Sequence, residues 1–289
     1  MPELEKQELL DPKWGEASAL HEPRLLANFR ARADDVLIAT PPKAGTTWMQ
    51  QILYQLHSGG DDSFDDIDRV VPWLEIPRQD KSWQTILEEF EQRESPRIFK
   101  THNTYEQMPG ADTARIILTT RDPRDCCISF YHHFMDLTDE AIALSGINRP
   151  ESLEQHVENW LEFAAWYRNI KSWWPHREQE NILILRYEDL RADLNNGIDE
   201  ILAFLRWSIT EEQRSKIIEH CSFDWMKKNV QRFNQQGFSG KTLFKPHGFV
   251  RKGVIGEGKE KLTHDQQTRI IQKAKETLDD DCLKFLAIE

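Results

Sequence analysis

Four cysteines are too few, and too irregularly spaced, to frame a 289-residue chain with disulfides: Cys126 and Cys127 are neighbours, and Cys221 and Cys282 stand alone. No zinc-ligand spacing is present either, so all four are expected as small buried apolar residues and no metal site is expected. Long hydrophobic runs are also missing. Nothing approaches the roughly 20 apolar residues that span a bilayer. Residues 1–13 are acidic and polar where a secretory leader would be basic and then apolar. These features point to a cytoplasmic protein with no membrane partner. Positive charge is in deficit, 37 Lys and Arg against 49 Asp and Glu, for a formal net charge of −12. This balance disfavours nucleic acid as a partner, yet permits an anionic small ligand held by a local basic cluster. The acidic excess gathers in residues 61–68 and 279–281 without the Gly and terminal Glu of a calcium loop, so both runs are expected as solvated loops.

What is present is organised around residues 36–57. Val36-Leu37-Ile38-Ala39 is a run of the kind buried on both faces of a sheet. Thr40-Pro41-Pro42-Lys43-Ala44-Gly45-Thr46-Thr47 then leads into Trp48, Met49, Ile52, Leu53 and Leu56 at helical spacing, stopped by Ser58-Gly59-Gly60. Strand, tight loop and helix follow from this pattern. Gly45 lets the backbone approach a ligand, and the helix start behind it favours an anion, which Lys43 can reach. The loop departs from G-x-x-x-x-G-K-[ST], because it has one Gly and its Lys precedes that Gly. A phosphate-like group is expected without a nucleoside-triphosphate loop.

Three further strands are expected at residues 97–102, 115–121 and 181–186, each with polar residues at its carboxyl end, where ligands bind in open parallel sheets. Lys100-Thr101-His102 places an imidazole there, with an unperturbed pKa of about 6.5 suited to proton transfer. Arg121 and Ser129 together suit a second phosphate, the alternative for Arg121 being an ion pair with Asp122 or Asp125. His132 and His133 read as helix surface. Trp73 reads equally as a core plug or a pocket wall. The aromatics between Trp160 and Trp174 suit one amphipathic helix, residues 153–174, packed as core. Residues 231–250 are polar and long enough for a mobile lid.

Pro42-Lys43-Ala44-Gly45-Thr46-Thr47-Trp48 resembles the 5′-phosphosulfate loop of the cytosolic-type sulfotransferases, which use 3′-phosphoadenosine 5′-phosphosulfate (PAPS). Lys100-Thr101-His102, Arg121-Asp122-Pro123-Arg124-Asp125 with Ser129, Tyr187-Glu188-Asp189-Leu190, Ser222-Phe223 with Met226, and Arg251-Lys252-Gly253 follow in the family's order. The resemblance covers about residues 36–263. It implies a single α/β domain over residues 1–289, with 1–33 a lead-in, a mostly parallel central sheet flanked by helices and a P-loop-like phosphate-binding loop.

It implies further that His102 is the general base, with Lys43 and Lys100 as catalytic cations. Lys43, Ala44, Gly45, Thr46, Thr47, Trp48, Arg121, Ser129, Tyr187, Ser222, Phe223, Met226, Arg251, Lys252 and Gly253 would hold PAPS and its product PAP. Trp73, Asn103 and His102 would border a pocket for a small-molecule acceptor. Departures are Asn103-Thr104 for Leu-Pro, Cys221 for Thr, and the family's dimer motif, which is not recognisable near His264 and Thr268. Two other readings are a P-loop kinase, which lacks its Walker Lys here, and a non-catalytic bisphosphoadenosine sensor, which would need no base.

Overall fold

The structure, a computed structural model, describes residues 10–78, 80–234, 243–245, 248, 250, 251 and 253–288. Four strands, β1 Val36–Ile38, β2 Ile98–Lys100, β3 Arg115–Thr120 and β4 Ile182–Arg186, pair in the order β2-β1-β3-β4. Every pairing is parallel: Ile38 faces Lys100 and Ile117, and Thr120 faces Arg186. Because β1 has β2 on one side and β3 on the other, the chain reverses direction across the sheet there. The carboxyl ends of β1, β2 and β3 therefore open onto one crevice.

The strands are buried on both faces, which explains why they read as apolar runs. Val36, Ile38, Ile98 and Ile117 pack with Met49, Ile52 and Leu53 of the Thr46–Ser58 helix and with Ile198 and Ile201 of the Leu194–Leu205 helix. Their neighbours Leu37, Ala39, Phe99, Ile116 and Leu118 point the other way, onto Leu25, Leu26, Phe29, Phe90 and Trp173. A helical layer thus covers each face, giving one α/β domain. A third cluster joins the Pro123–Asp136 and Leu153–Phe163 helices to the His264–Thr277 helix.

Three expectations change. Residues 153–174 form two helices, Leu153–Phe163 and Ala165–Trp173, separated by Ala164 in the left-handed region at φ 49°. Neither Gly nor Pro marks the break, and that conformation costs a non-glycine residue roughly 1–2 kcal/mol. The kink sends Trp160, Trp166 and Tyr167 into one cluster and Trp173 into another. Burying several aromatics at about 1.5–3 kcal/mol each outweighs the strain.

Secondly, the acidic run 61–68 is not wholly solvated. Asp66 and Asp68 are 3% and 7% exposed, and Asp68 Oδ1 lies 2.7 Å from Lys100 Nζ. A lysine buried at the end of β2 needs a counter-charge, and Asp68 supplies it. The other run remains exposed, with Asp279 capping the Asp280–Phe285 helix. Thirdly, β2 and β3 stop before His102 and Arg121, so these two residues leave the hydrogen-bonded ladder for the crevice.

All four cysteines are buried and free. Within the segment expected as a lid, residues 235–242, 246, 247 and 249 lie outside the described residues, and buried Phe244 forms an antiparallel bridge with Leu137. Among the described residues no helix is long and apolar enough to cross a membrane.

Candidate active site

Gly45 occupies the N-cap of the Thr46–Ser58 helix at φ 102°, and a Cβ there would meet the Tyr187 ring at 2.9 Å. Only glycine fits both the turn and the neighbour. Lys43 is also left-handed, at φ 67°, a strain of roughly 1–2 kcal/mol of the kind found at ligand loops. The first-turn amides of the helix have no intrahelical acceptor and carry the positive end of its dipole, which makes an anion site. The Thr46 hydroxyl is turned inward onto Thr40 Oγ1, 2.6 Å away, so Thr46 offers its amide rather than its hydroxyl.

A cavity of about 820 Å³ opens at this loop, and Lys43, Lys100, Arg121 and Arg251 all line it. Their crowding is electrostatically costly. Burial, then Arg121, Lys100 and Arg251, lower the Lys43 ammonium to a pKa of about 8. Arg121 makes the ion pair weighed from the sequence, with Asp125: its Nη2 donates to Asp125 Oδ2 at 3.3 Å and also to Val254 O at 2.8 Å, while its buried Nε has no hydrogen-bond partner among the described residues and the guanidinium lies over Tyr187. Arg251 donates to both carboxylate oxygens of Glu257. At Gly253 (φ 60°) a Cβ would meet Phe223 at 2.7 Å.

Trp48 donates its indole N–H to Cys221 O at 2.8 Å and packs edge-on against Tyr187. Trp48, Tyr187, Phe223 and Met226 present an aromatic and thioether wall beside the cations, with Thr47 and Ser129 also on the lining. An orphaned guanidinium nitrogen, a glycine-lined approach and a flat apolar wall suit a nucleotide with two phosphate positions. Two expected residues are not on the wall. Ala44 is fully buried, its carbonyl accepting from Thr119 Oγ1, and the Ser222 hydroxyl caps the Phe223–Lys228 helix. Lys252 lies outside the described residues.

At the end of β2, His102 and Lys100 face the same cavity in different states. His102 Nδ1 donates to Thr40 O at 2.6 Å, because a carbonyl can only accept, so the proton of the neutral ring sits on Nδ1 and Nε2 carries the lone pair. Burial lowers the ring to a pKa of about 4, against the opposing Thr40 hydrogen bond and with help from Lys100 and Lys43. Lys100 is held by Asp68 and by Gln50 Oε1 at 3.1 Å, with its ammonium 4.4 Å from the Trp73 ring centre. Trp73 stands edge-on to His102 at 4.7 Å and lines the cavity, as does Asn103, whose carbonyl accepts from Trp173 Nε1 and Asn169 Nδ2. Among the described residues no three His, Cys, Asp or Glu side chains gather as a metal site.

Several lining residues were missed by the sequence reading. His133 is not helix surface: it lines the cavity, and its Nδ1 is 3.1 Å from Lys43 Nζ. Phe130, Phe134, Trp160, Phe163 and Phe244 build an aromatic wall beyond it. A usable signal was there, since Ser129 and His133 fall four residues apart and share one face of the Pro123–Asp136 helix. Glu75, 5% exposed, lines the same cavity; its Oε1 accepts from Thr101 Oγ1 and its Oε2 has no hydrogen-bond partner among the described residues.

A parallel sheet with an anion loop, a cation cluster and a neutral imidazole at its switch point defines the architecture of a nucleotide-dependent transferase. The sulfotransferase domain family matches residues 33–281. The chain is 31% identical over 272 residues to the amine sulfotransferase of the rabbit Oryctolagus cuniculus, covering 90% of this chain and 86% of that protein. It is also 31% identical over 268 residues to human sulfotransferase 1E1, with 89% and 88% covered. Mouse sulfotransferase SULT7A1 complexed with PAP shares the fold, with a TM-score of 0.74 at 23% identity over 93% of this chain and 99% of that one. The chain belongs to the sulfotransferase family, and it is an enzyme of that class.

Proposed function

We propose that this enzyme transfers a sulfuryl group in line from PAPS to a hydroxyl or amine of a small molecule, with His102 as the general base and no metal. The observation that carries this reading is the hydrogen bond from His102 Nδ1 to Thr40 O, which leaves Nε2 as the proton acceptor on a cavity wall shared with Lys43. With its pKa held at about 4, the imidazole is unprotonated at neutral pH.

When bound, PAPS supplies an already activated sulfuryl group on a phosphate leaving oxygen. His102 takes the acceptor's proton at Nε2 as the bond from the acceptor to sulfur forms and the donor's S–O bond breaks. Lys43 and the first-turn amides offset the charge that gathers on the leaving oxygen, a contribution that is large where water is excluded. Lys100 acts on the sulfuryl oxygens, its charge tempered by Asp68. Arg121, Ser129, Arg251, Lys252 and Gly253 hold the 3′-phosphate of PAPS and of PAP. Trp48, Tyr187, Phe223 and Met226 frame the adenine.

Support for an uncharged or cationic acceptor comes from the net charge of −12 and from the unpartnered Glu75 Oε2, which suits an O–H or N–H donor. The rabbit relative is named for amines. Thermal stability in PAP, ADP and AMP at equal concentration tests the donor site, since a ligand of the native state raises Tm by mass action. The largest shift is expected with PAP, and transfer from PAPS to phenols, alcohols and amines should follow without added magnesium. Equal shifts with all three nucleotides would overturn the 3′-phosphate assignment.

A further inference from the structure

His133 stands where the two ends of the cavity meet. It projects from the Pro123–Asp136 helix, four residues after Ser129, with its ring 4.8 Å from Phe244, 5.9 Å from Phe130 and 6.1 Å from Phe134. Lys43 is a further neighbour, its Nζ 3.1 Å from His133 Nδ1. We propose that His133 is a positioning residue for Lys43, its neutral Nδ1 accepting a hydrogen bond from the Lys43 ammonium and thereby fixing that charge at the anion loop. This inference rests on the reading of Lys43 as the cation that meets the donor.

The chemistry of the contact allows one arrangement. An ammonium only donates, so Nδ1 must accept and the ring proton must sit on Nε2. A doubly protonated ring would set N–H against N–H. Burial, and among the described residues Lys43, His102 and Lys100, push His133 well below the usual histidine range and keep it neutral. Lys43 benefits from an acceptor there, because Arg121, Lys100 and Arg251 disfavour its charge. A neutral lone pair stabilises the ammonium without cancelling the positive field that an anionic ligand requires. One N–H of the ammonium is directed to His133 Nδ1. The aromatic packing fixes the imidazole, so the acceptor is held in place before any ligand arrives.

The test compares His133→Phe, which keeps a ring but loses the acceptor, with His133→Gln, whose amide oxygen can accept. The pKa of Lys43 is read in the donor-free protein from the pH dependence of its acetylation by acetic anhydride, followed by peptide mass spectrometry. The unaltered chain should give about 8. A hydrogen bond to a charged group corresponds to about one to two pKa units, so the Phe variant should fall by that amount and the Gln variant should stay near the unaltered value. In sulfuryl transfer, loss of Lys43 charge should move the basic limb of kcat/KM for PAPS to lower pH in the Phe variant and back in the Gln variant. A role confined to packing would lower activity without moving that limb. One Lys43 pKa in all three proteins overturns the proposal. Should the Phe variant not fold, the 15N shifts of His133 in the unaltered chain decide: a bare Nδ1 supports the proposal, and a protonated Nδ1 overturns it. The acetylation needs no turnover, so a protein that shows the pKa shift yet transfers no sulfuryl group would refute the donor reading and leave the positioning of Lys43 intact.

Discussion

The two ends of the cavity are built by different means. The end proposed for the nucleotide is made at the ends of strands, from Gly45 and the first-turn amides after β1, Arg121 after β3 and Tyr187 after β4. Backbone conformation does much of the positioning there. The end proposed for the acceptor is made from helix faces and single side chains drawn from residues far apart in the chain, including Trp73, Phe130, Phe134, Trp160, Phe163 and Phe244. A strand-end site cannot change without disturbing the sheet, whereas an aromatic wall can be refitted one residue at a time. One end is therefore suited to a fixed ligand and the other to a variable one.

His102 stands at the seam between the ends, and its replacement should give the largest effect. His102→Ala is expected to lower transfer about 10²–10⁴-fold, the usual worth of a positioned base, while PAP binding measured by calorimetry is retained. Full turnover in this variant would refute the base assignment. The pH dependence follows from the lowered pKa. Protonation blocks the base, so kcat/KM for PAPS should hold from neutrality on the acid side until the pH approaches about 4, not 6.5.

Asp68 tests whether the two ends share a foundation. Asp68→Ala leaves the Lys100 ammonium buried beside Trp73 without its counter-charge. Breaking a buried pair in this way typically costs about 3–5 kcal/mol. Chemical denaturation should show a loss of that order; a loss below about 1 kcal/mol, the usual scale of an exposed pair, would mean that water or another carboxylate reaches Lys100.

Arg121 separates the ends. Arg121→Ala should reduce the preference for PAP over ADP by about 10–100-fold, in line with roughly 1.5–3 kcal/mol for a charged hydrogen bond, with little change in acceptor KM. A larger change for the acceptor than for the nucleotide would mean that the cavity is not divided as described.

The same division explains what could be read from the sequence. The four strands, the Thr46–Ser58 helix and the crevice residues Lys43, His102 and Arg121 were legible because each belongs to a short contiguous motif with a local physical reason. Ala164 was not, because its left-handed turn is imposed by where Trp160 and Trp173 must pack. Asp68 carried no mark either, since its burial depends on a lysine 32 positions later. His133 sat in plain view beside Ser129, yet a polar pair on a helix reads as surface unless the face it shares is followed.

Phe163 should give the smallest effect and the sharpest contrast. Among the described residues it is the most exposed large apolar side chain, at 59%, and it stands on the cavity wall at the end of the Leu153–Phe163 helix. A residue so exposed adds little to folding, so Phe163→Ala should change stability by no more than about 0.5 kcal/mol. Its ring is nonetheless apolar area that an acceptor would cover, and partial burial at about 25 cal/mol per Å² corresponds to a several-fold rise in acceptor KM. Acceptor KM should therefore rise with bulky apolar acceptors, stay level with small ones, and leave PAP binding untouched. Equal changes for small and bulky acceptors would place Phe163 at the entrance and not on the binding wall, and the aromatic residues beyond His133 would then end at Trp160.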